Sequence, residues 1–190
     1  LIDLGFYNGA TFQGKKRKLD FNQGIDGREL NDRKAELLSQ TCIEPVRLAF
    51  DSINDKHNYL NMVNTCQKAG LSRISTYVLY NYKDSPENFY LRLRTNVQHN
   101  KRCGTKISGF PMRFIPLQAK TRGYVSPNWN RKLLRGVSCI LLATKGMVSP
   151  RLDFFEAAFG RDVQEFKQIA SMPEKYIIYR RKHQHNGADD

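Results

Sequence analysis

The chain has 190 residues and a net charge of +13, from 31 Lys and Arg against 18 Asp and Glu. Its length and its 40% hydrophobic content are typical of one globular domain with a substantial core. No apolar run approaches the roughly 20 residues that a membrane span needs, and no secretory signal begins the chain, so we expect a cytoplasmic protein without a membrane partner. The excess positive charge favours nucleic acid as a partner.

Strand and helix patterns alternate along the first half of the chain. A strand near 18–25 precedes a helix capped by Asn31 or Asp32, and a strand near 45–51 precedes a helix that closes at Gly70. The helical patterns repeat apolar residues every three or four positions, whereas the strand patterns are short apolar runs that end in polar residues. These features predict two successive strand-helix units.

The clearest strand-loop-helix unit extends from residue 73 to residue 104. A β-branched and aromatic run near 73–81 predicts a buried strand, and the sequence DSPE that follows combines a capping side chain, a proline and an acid for a helix start. Gly104 predicts a left-handed helix end. Another strand, near 106–115, follows immediately.

Strand starts recur about every 30 residues, which is the length of a strand-helix-strand crossover. We therefore expect parallel strands with right-handed helical connections. In such sheets ligands bind beyond the carboxyl ends of the strands, so polar side chains at those ends should converge on one mouth. Asp51 and Asn81 are alternatively loop or cap residues of the helices that follow them. The candidates for ligand binding at this mouth are Gln23, Asp51, Asn81, Met112 and Arg113.

The region 118–180 is predicted to be a helical cap or extension, and 181–190 a polar tail. Amphipathic patterns end at Gly146, at Gly160 and near Pro173. We expect the aromatic residues of these helices to pack in a core rather than to stack on nucleic-acid bases. The short apolar run from Tyr176 to Tyr179 predicts a strand or an extended segment.

Four cysteines, Cys42, Cys66, Cys103 and Cys139, are widely separated and form no C-x-x-C pair. This spacing gives no local support for a metal site or a redox dithiol. Two of the cysteines fall in the last turns of predicted helices, away from the expected ligand end of the sheet. We therefore expect reduced structural thiols and no metal site.

Several runs of the sequence together resemble a known family. The runs LDFNQGIDGREL, PVRLAFDS, STYVLYNYKDSPENFYLRLR and ISGFPMRFIPL resemble the carboxyl-terminal half of the radical S-adenosylmethionine (radical SAM) enzymes, in particular a little-characterised subgroup. The resemblance covers Lys18 to Leu117, and its most specific part is L-Y-N-x-x-D-x-P-E-x-F-Y-x-R-L. It implies that residues 1–117 form the carboxyl-terminal strands of a partial, TIM-like (β/α)6 barrel.

The resemblance also implies S-adenosylmethionine as a cofactor. In the family, the strand that corresponds to 45–51 offers a polar group to the ribose hydroxyls, which matches Asp51. The next two strands hold the adenine and methionine parts, which matches Asn81 and the region of Met112 and Arg113. The expected function is therefore the nucleoside side of the S-adenosylmethionine pocket, and part of the substrate site, for 5'-deoxyadenosyl-radical chemistry on an unknown substrate.

The chain departs from the family in one essential respect. The C-x-x-x-C-x-x-C-like loop that holds the [4Fe-4S] cluster is absent, so we expect a missing amino-terminal half or a partner chain to carry the cluster. The start at Leu1, in mid-pattern, also predicts a fragment. The alternative is a degenerate half-barrel that serves as a non-catalytic, basic nucleic-acid-binding domain or as an assembly subunit. Its basic residues are dispersed, with local groups at 15–18 and 180–182.

Overall fold

The computed structural model describes residues 1–178. The strands are β1 (Thr11–Phe12), β2 (Lys15–Lys16), β3 (Val46–Ala49), β4 (Arg73–Tyr80) and β5 (Lys106–Arg113). The helices are α1 (Asp32–Ser39), α2 (Lys56–Lys68), α3 (Pro86–Cys103), α4 (Arg131–Ala143), α5 (Leu152–Phe159) and α6 (Val163–Ala170). Within 1–178, none of the helices combines the length and apolar character needed to cross a bilayer. The predicted tail at 181–190 and the basic group at 180–182 lie outside the described residues.

Three parallel strands form the main sheet, in the order β3-β4-β5. The register pairs Arg73 with Lys106 at one end and Tyr80 with Arg113 at the other, so all eight pairs of β4 and β5 are in step. Because α2 connects β3 to β4 and α3 connects β4 to β5, each connection is a helical crossover. The prediction of an α/β fold with parallel strands is confirmed. The antiparallel β1–β2 hairpin was not predicted.

The prediction of a continuous strand near 18–25 is wrong, because this segment contacts the sheet only at separate points. Leu19 forms one isolated parallel bridge just before β3, and the backbone N–H of Ile25 bonds the Arg47 carbonyl at 2.8 Å. Between these two points the chain leaves the sheet in a turn that ends at Gly24, which has a φ of 84°. The direction is therefore parallel as expected, but the turn-forming residues before Gly24 interrupt the ladder.

The boundaries of α3 follow from its sequence and confirm the prediction. The Ser85 side chain caps the helix by accepting the backbone N–H of Asn88, and Pro86 occupies the first turn. Gly104 ends the helix in the left-handed region, at φ 66°. Asn31 caps α1 in the same way, through the N–H of Lys34.

Alternation along the strands gives the sheet two different faces. On the helix face, Ile74, Val78 and Tyr80 of β4 are buried in two apolar clusters formed with the helices. We call the opposite side the open face, because most of its side chains, unlike the buried Ser75, are half-buried or exposed: Ala49, Tyr77, Leu79, Phe110 and Met112. The segment 20–24 covers part of it, where the Tyr77 hydroxyl donates to the Asn22 carbonyl at 2.7 Å.

Helices α4, α5 and α6 pack against α3 through aromatic side chains. Phe155, Phe159 and Phe166 are almost fully buried, which confirms their expected role in the core. Tyr90 of α3 lies 5.3 Å from the Phe166 ring, centroid to centroid. Residues 174–178 are helical, so the predicted strand or extended segment at Tyr176 is wrong; Tyr179 lies outside the described residues.

An ion pair between Glu87 of α3 and Lys167 of α6 links the two helices. Partial burial opposes ionisation of Glu87, but side-chain hydrogen bonds with Lys167 and Ser85 outweigh it and lower the pKa of Glu87 to about 2. Because this pKa lies below the ordinary 4.5, the ionised carboxylate stabilises the fold above about pH 4.5. That contribution disappears as the pH falls toward 2.

We expect the substitution Glu87→Gln to flatten the loss of stability between about pH 5 and pH 2, while costing no more than about 1 kcal/mol at pH 7, because the pair is partly exposed. Urea unfolding followed by circular dichroism at each pH measures the effect. Glu36→Gln, at an exposed position of α1, is the control and should leave the pH profile unchanged. An unchanged profile for Glu87→Gln would contradict the expectation.

Candidate functional site

A cleft of about 1020 Å³ lies at the carboxyl end of β3. The segment 23–28 forms one wall, the first turns of α2 form the other, and residues 49–51 lie between them. Its polar lining residues include Gln23, Asp26, Arg28, Asp51, Asp55, Asn58 and Asn61. This is the end of a parallel sheet at which ligands bind in other proteins, and the cleft is large enough for a small organic ligand.

Asp51 is the central polar group of the cleft. The chain continues the ladder one step beyond β3, where the N–H of Phe50 bonds the Tyr77 carbonyl at 2.9 Å. Asp51 then accepts the N–H of Leu79 through Oδ1 at 3.2 Å. Its Oδ2 accepts no hydrogen bond from any residue that the structure describes, and the residue is exposed. One carboxylate oxygen is therefore fixed by the sheet and the other is free to accept from a ligand.

The carboxylates of the cleft contrast with the charge of the whole chain. Asp26 forms two hydrogen bonds with the Arg28 guanidinium, at 2.9 and 2.7 Å. These bonds, with a further one from the backbone N–H of Arg28, lower the pKa of Asp26 to about 2. Asp51 and Asp55 add two more carboxylates to the lining, against one guanidinium. Hydroxyl donors and cationic groups therefore fit this cleft better than anions.

A buried guanidinium organises the backbone beneath the cleft. Arg92 of α3 is 0% exposed and donates to the carbonyls of Phe50 and Leu79, at 2.8 Å each. Its Nη2 also pairs with Asp84 Oδ2 at 2.7 Å. Burial raises the pKa of Asp84 and lowers that of Arg92, in each case against the attraction of the partner charge.

Arg92 thereby ties together the ends of β3 and β4, where Asp51 and its hydrogen-bond donor lie. Reasoning from sequence missed this role. The sequence nevertheless contained a sign of it. Arg92 is a charged residue that lies beside Phe89 and Leu93, two apolar residues of the helix face predicted to be buried.

Asn81 is a structural residue, which corrects the expectation that its side chain faces a common mouth. It is 0% exposed, has a φ of 64°, and donates through Nδ2 to the carbonyls of Phe114 and Tyr124, at 3.1 Å each. Its Oδ1 accepts the N–H of Ser126 at 2.9 Å. All of these bonds hold the segment 114–126 over the end of β4, which agrees with the alternative of a loop residue.

Met112 and Arg113 do not join a common mouth either. They are consecutive in β5, so their side chains point to opposite faces of the sheet. Met112 is paired with Leu79 on the open face and is 43% exposed. Arg113 is paired with Tyr80 on the helix face and donates to the Tyr124 carbonyl at 3.0 Å. Of the five candidates, the structure brings only Gln23 and Asp51 together in the cleft.

The described part of the chain offers no ligand set for a metal centre. Within 1–178, no group of three or more His, Cys, Asp and Glu side chains has a suitable arrangement. Its four cysteines are free, with Cys103 exposed and the others buried. Burial raises the pKa of the Cys66 thiol to about 11, which disfavours the thiolate that metals and clusters require.

The geometry thus supplies a polar cleft at the end of β3 and a hydrogen-bonded backbone beneath it. No protein-family model, curated protein or solved structure matches the chain. The resemblance of Lys18 to Leu117 to the radical SAM enzymes therefore rests on the sequence motifs alone, and what it implies for function is a proposal.

Proposed function

We propose that this chain is the carboxyl-terminal portion of a radical SAM enzyme and that the cleft at the end of β3 binds the ribose of S-adenosylmethionine. The observation that carries the proposal is the position of Asp51, which follows a parallel strand and presents a free carboxylate oxygen to a polar cleft. In this role the chain contributes the nucleoside side of the pocket and part of the substrate site.

Strand order supports this proposal. The strands β3, β4 and β5 are parallel and adjacent, and the segment near 18–25 runs parallel beside β3 at Leu19. In this proposal, the segment near 18–25 and the strands β3, β4 and β5 correspond to the third to sixth strands of a partial (β/α)6 barrel. The open face, with Leu79 and Met112 on it, corresponds to the barrel interior, where Met112 is a candidate contact for the methionine part or for the substrate.

Charge and hydrogen-bonding capacity also support it. The two ribose hydroxyls of S-adenosylmethionine are donors, and its sulfonium and amino groups are positive. Asp51 and Gln23 supply acceptors, and Asp26 and Asp55 make the lining locally acidic in a basic protein. Asn81 and Arg113 act in this proposal as supports of the segment 114–126 and not as direct ligands.

The [4Fe-4S] cluster of the family does not fit the described residues, because they provide no suitable cysteine group. We propose that an upstream segment or a partner chain carries it. The cluster and S-adenosylmethionine together supply the radical chemistry of the family, and the residues here bind and orient the nucleoside. The substrate is not identified by this cleft, because the cofactor performs the reaction.

Binding of S-adenosylmethionine to the 190-residue chain tests the proposal. We expect isothermal titration calorimetry to detect binding, and Asp51→Asn to weaken it at least tenfold, because a hydrogen bond to a charged group contributes about 1.5–3 kcal/mol. Asparagine retains an oxygen for the Leu79 N–H, so the fold should persist. Asp153→Asn removes an exposed carboxylate of α5 and is the matched control. Equal affinities of the three proteins would contradict the role of Asp51.

A further inference from the structure

Several basic side chains lie together at the amino end of the sheet, opposite the cleft. They have no part in the proposed binding of S-adenosylmethionine. Glu44, just before β3, lies 3.3 Å from the Lys16 ammonium, 2.8 Å from that of Lys18 and 2.5 Å from the Arg73 guanidinium. The three basic side chains are 59%, 53% and 67% exposed, whereas Glu44 is 16% exposed. One partly buried carboxylate therefore holds three cations together and neutralises only part of their charge.

Neighbouring elements extend this positive surface without adding acids. Lys106 begins β5 and is exposed beside its register partner Arg73. Lys101 and Arg102 lie in the last turn of α3, which precedes β5. The chain has no acidic residue from 88 to 152 and none from 56 to 83. We call Lys16, Lys18, Arg73 and Lys106 the amino-end surface. A polyanion meets net positive charge there.

Exposed aromatic rings lie on the same hairpin segment as Lys16. The β1–β2 hairpin carries Phe12, which is 63% exposed, and Arg17 lies 4.0 Å from the centroid of the Phe6 ring and 6.0 Å from that of Phe12. The hairpin is attached just before β3, where Tyr7 bridges to Thr41. Phe12 and Tyr7, the latter 51% exposed, thus border the amino-end surface.

We propose that the amino-end surface binds single-stranded nucleic acid, with Lys16, Lys18 and Arg73 contacting phosphates and Phe12 stacking on a base. Cations alone would suit any polyanion, whereas exposed rings beside them suit unpaired bases in particular, because every base offers a flat face for stacking. This proposal does not depend on the S-adenosylmethionine cleft, which lies at the other end of the sheet.

Fluorescence anisotropy with labelled RNA and DNA strands about 20 nucleotides long tests the proposal at low and physiological salt. We expect the triple variant K16Q/K18Q/R73Q to bind at least tenfold more weakly and with a shallower salt dependence, since three phosphate contacts are lost. Phe12→Ala should weaken binding about fivefold or more while keeping the salt dependence, because stacking is worth about 1–3 kcal/mol per base.

The matched control is R131Q/K132Q/R135Q, which makes the same change of charge in exposed residues of α4. The start of α4 lies near the carboxyl end of the sheet, where Trp129 donates to the Asp84 carbonyl at 3.1 Å. The proposal is supported if the control variant binds RNA or DNA with an affinity within about twofold of that of the unaltered protein. If both triple variants weaken binding equally, the proposal is overturned in favour of diffuse charge attraction. Phe12→Ala removes an exposed ring and should fold normally. Binding by this variant with the affinity of the unaltered protein would therefore also overturn the proposal.

Discussion

Replacing Arg92 with methionine is expected to lower the free energy of unfolding by about 3–5 kcal/mol. Arg92 is 0% exposed, and its removal leaves three acceptor atoms without their donor: the carbonyls of Phe50 and Leu79 and the Oδ2 oxygen of Asp84. The Oδ1 oxygen of Asp84 keeps its hydrogen bonds, but the carboxylate loses its paired cation. The Asp84 side chain is 7% exposed, so water cannot readily replace the guanidinium. An unpaired buried carboxylate is the largest part of the expected cost.

Chemical denaturation of the purified variant measures this cost, and two further variants identify its source. Arg94→Met, two residues along the same helix, removes a half-buried arginine whose hydrogen bond within 1–178 is to the Tyr90 hydroxyl, so it should cost less than about 1.5 kcal/mol. The double variant R92M/D84N should be more stable than R92M, because no buried charge is left unpaired. A loss below about 1 kcal/mol for Arg92→Met would show that the buried pair does not organise the strand ends.

Replacing Asn81 with alanine is expected to cost about 3 kcal/mol, because three buried or partly buried hydrogen bonds to the segment 114–126 are lost at about 1 kcal/mol each. Alanine also tolerates the positive φ of this position less well than asparagine does. Asn81→Gly separates the two effects, since glycine accepts the backbone conformation but makes none of the bonds. We therefore expect the glycine variant to be intermediate.

Hydrogen exchange at the Ser126 amide tests the same role locally. In Asn81→Ala and Asn81→Gly this amide should lose most of its protection, because Asn81 Oδ1 is its acceptor. Asn81→Asp keeps an acceptor for the Ser126 amide and removes the donations to Phe114 and Tyr124, so it should protect the amide better than alanine does. Unchanged protection in all three variants would contradict a structural role for Asn81.

Local signals along the sequence were sufficient to locate most of the regular elements. The unit from β4 to Gly104 has an apolar strand, a serine cap, a proline in the first turn and a glycine end, and each of these acts within a few residues of its own position. Parallel pairing followed from the spacing of such units, because a connection of that length forms a crossover.

Side-chain direction at the strand ends required tertiary information. Asn81 turns into the segment 114–126, which is more than thirty residues distant in sequence, and local patterns give no sign of that contact. Met112 and Arg113, in contrast, could have been placed from the sequence. They are consecutive residues of a strand, and alternation alone puts their side chains on opposite faces of the sheet. The turn that ends at Gly24 interrupts the predicted strand 18–25. Whether such a segment forms a turn or continues its hydrogen bonds to the sheet cannot be decided from its residue types alone.

Anaerobic reconstitution of the full-length gene product with iron and sulfide is the most direct test of the proposed function. After reduction in the presence of S-adenosylmethionine, we expect the absorbance of a [4Fe-4S] cluster and the formation of 5'-deoxyadenosine. Asp51→Asn in the same protein should retain the cluster and form less 5'-deoxyadenosine at limiting S-adenosylmethionine. A full-length product that forms neither the cluster nor 5'-deoxyadenosine, alone or with the partner chain that copurifies with it, would contradict the proposed function.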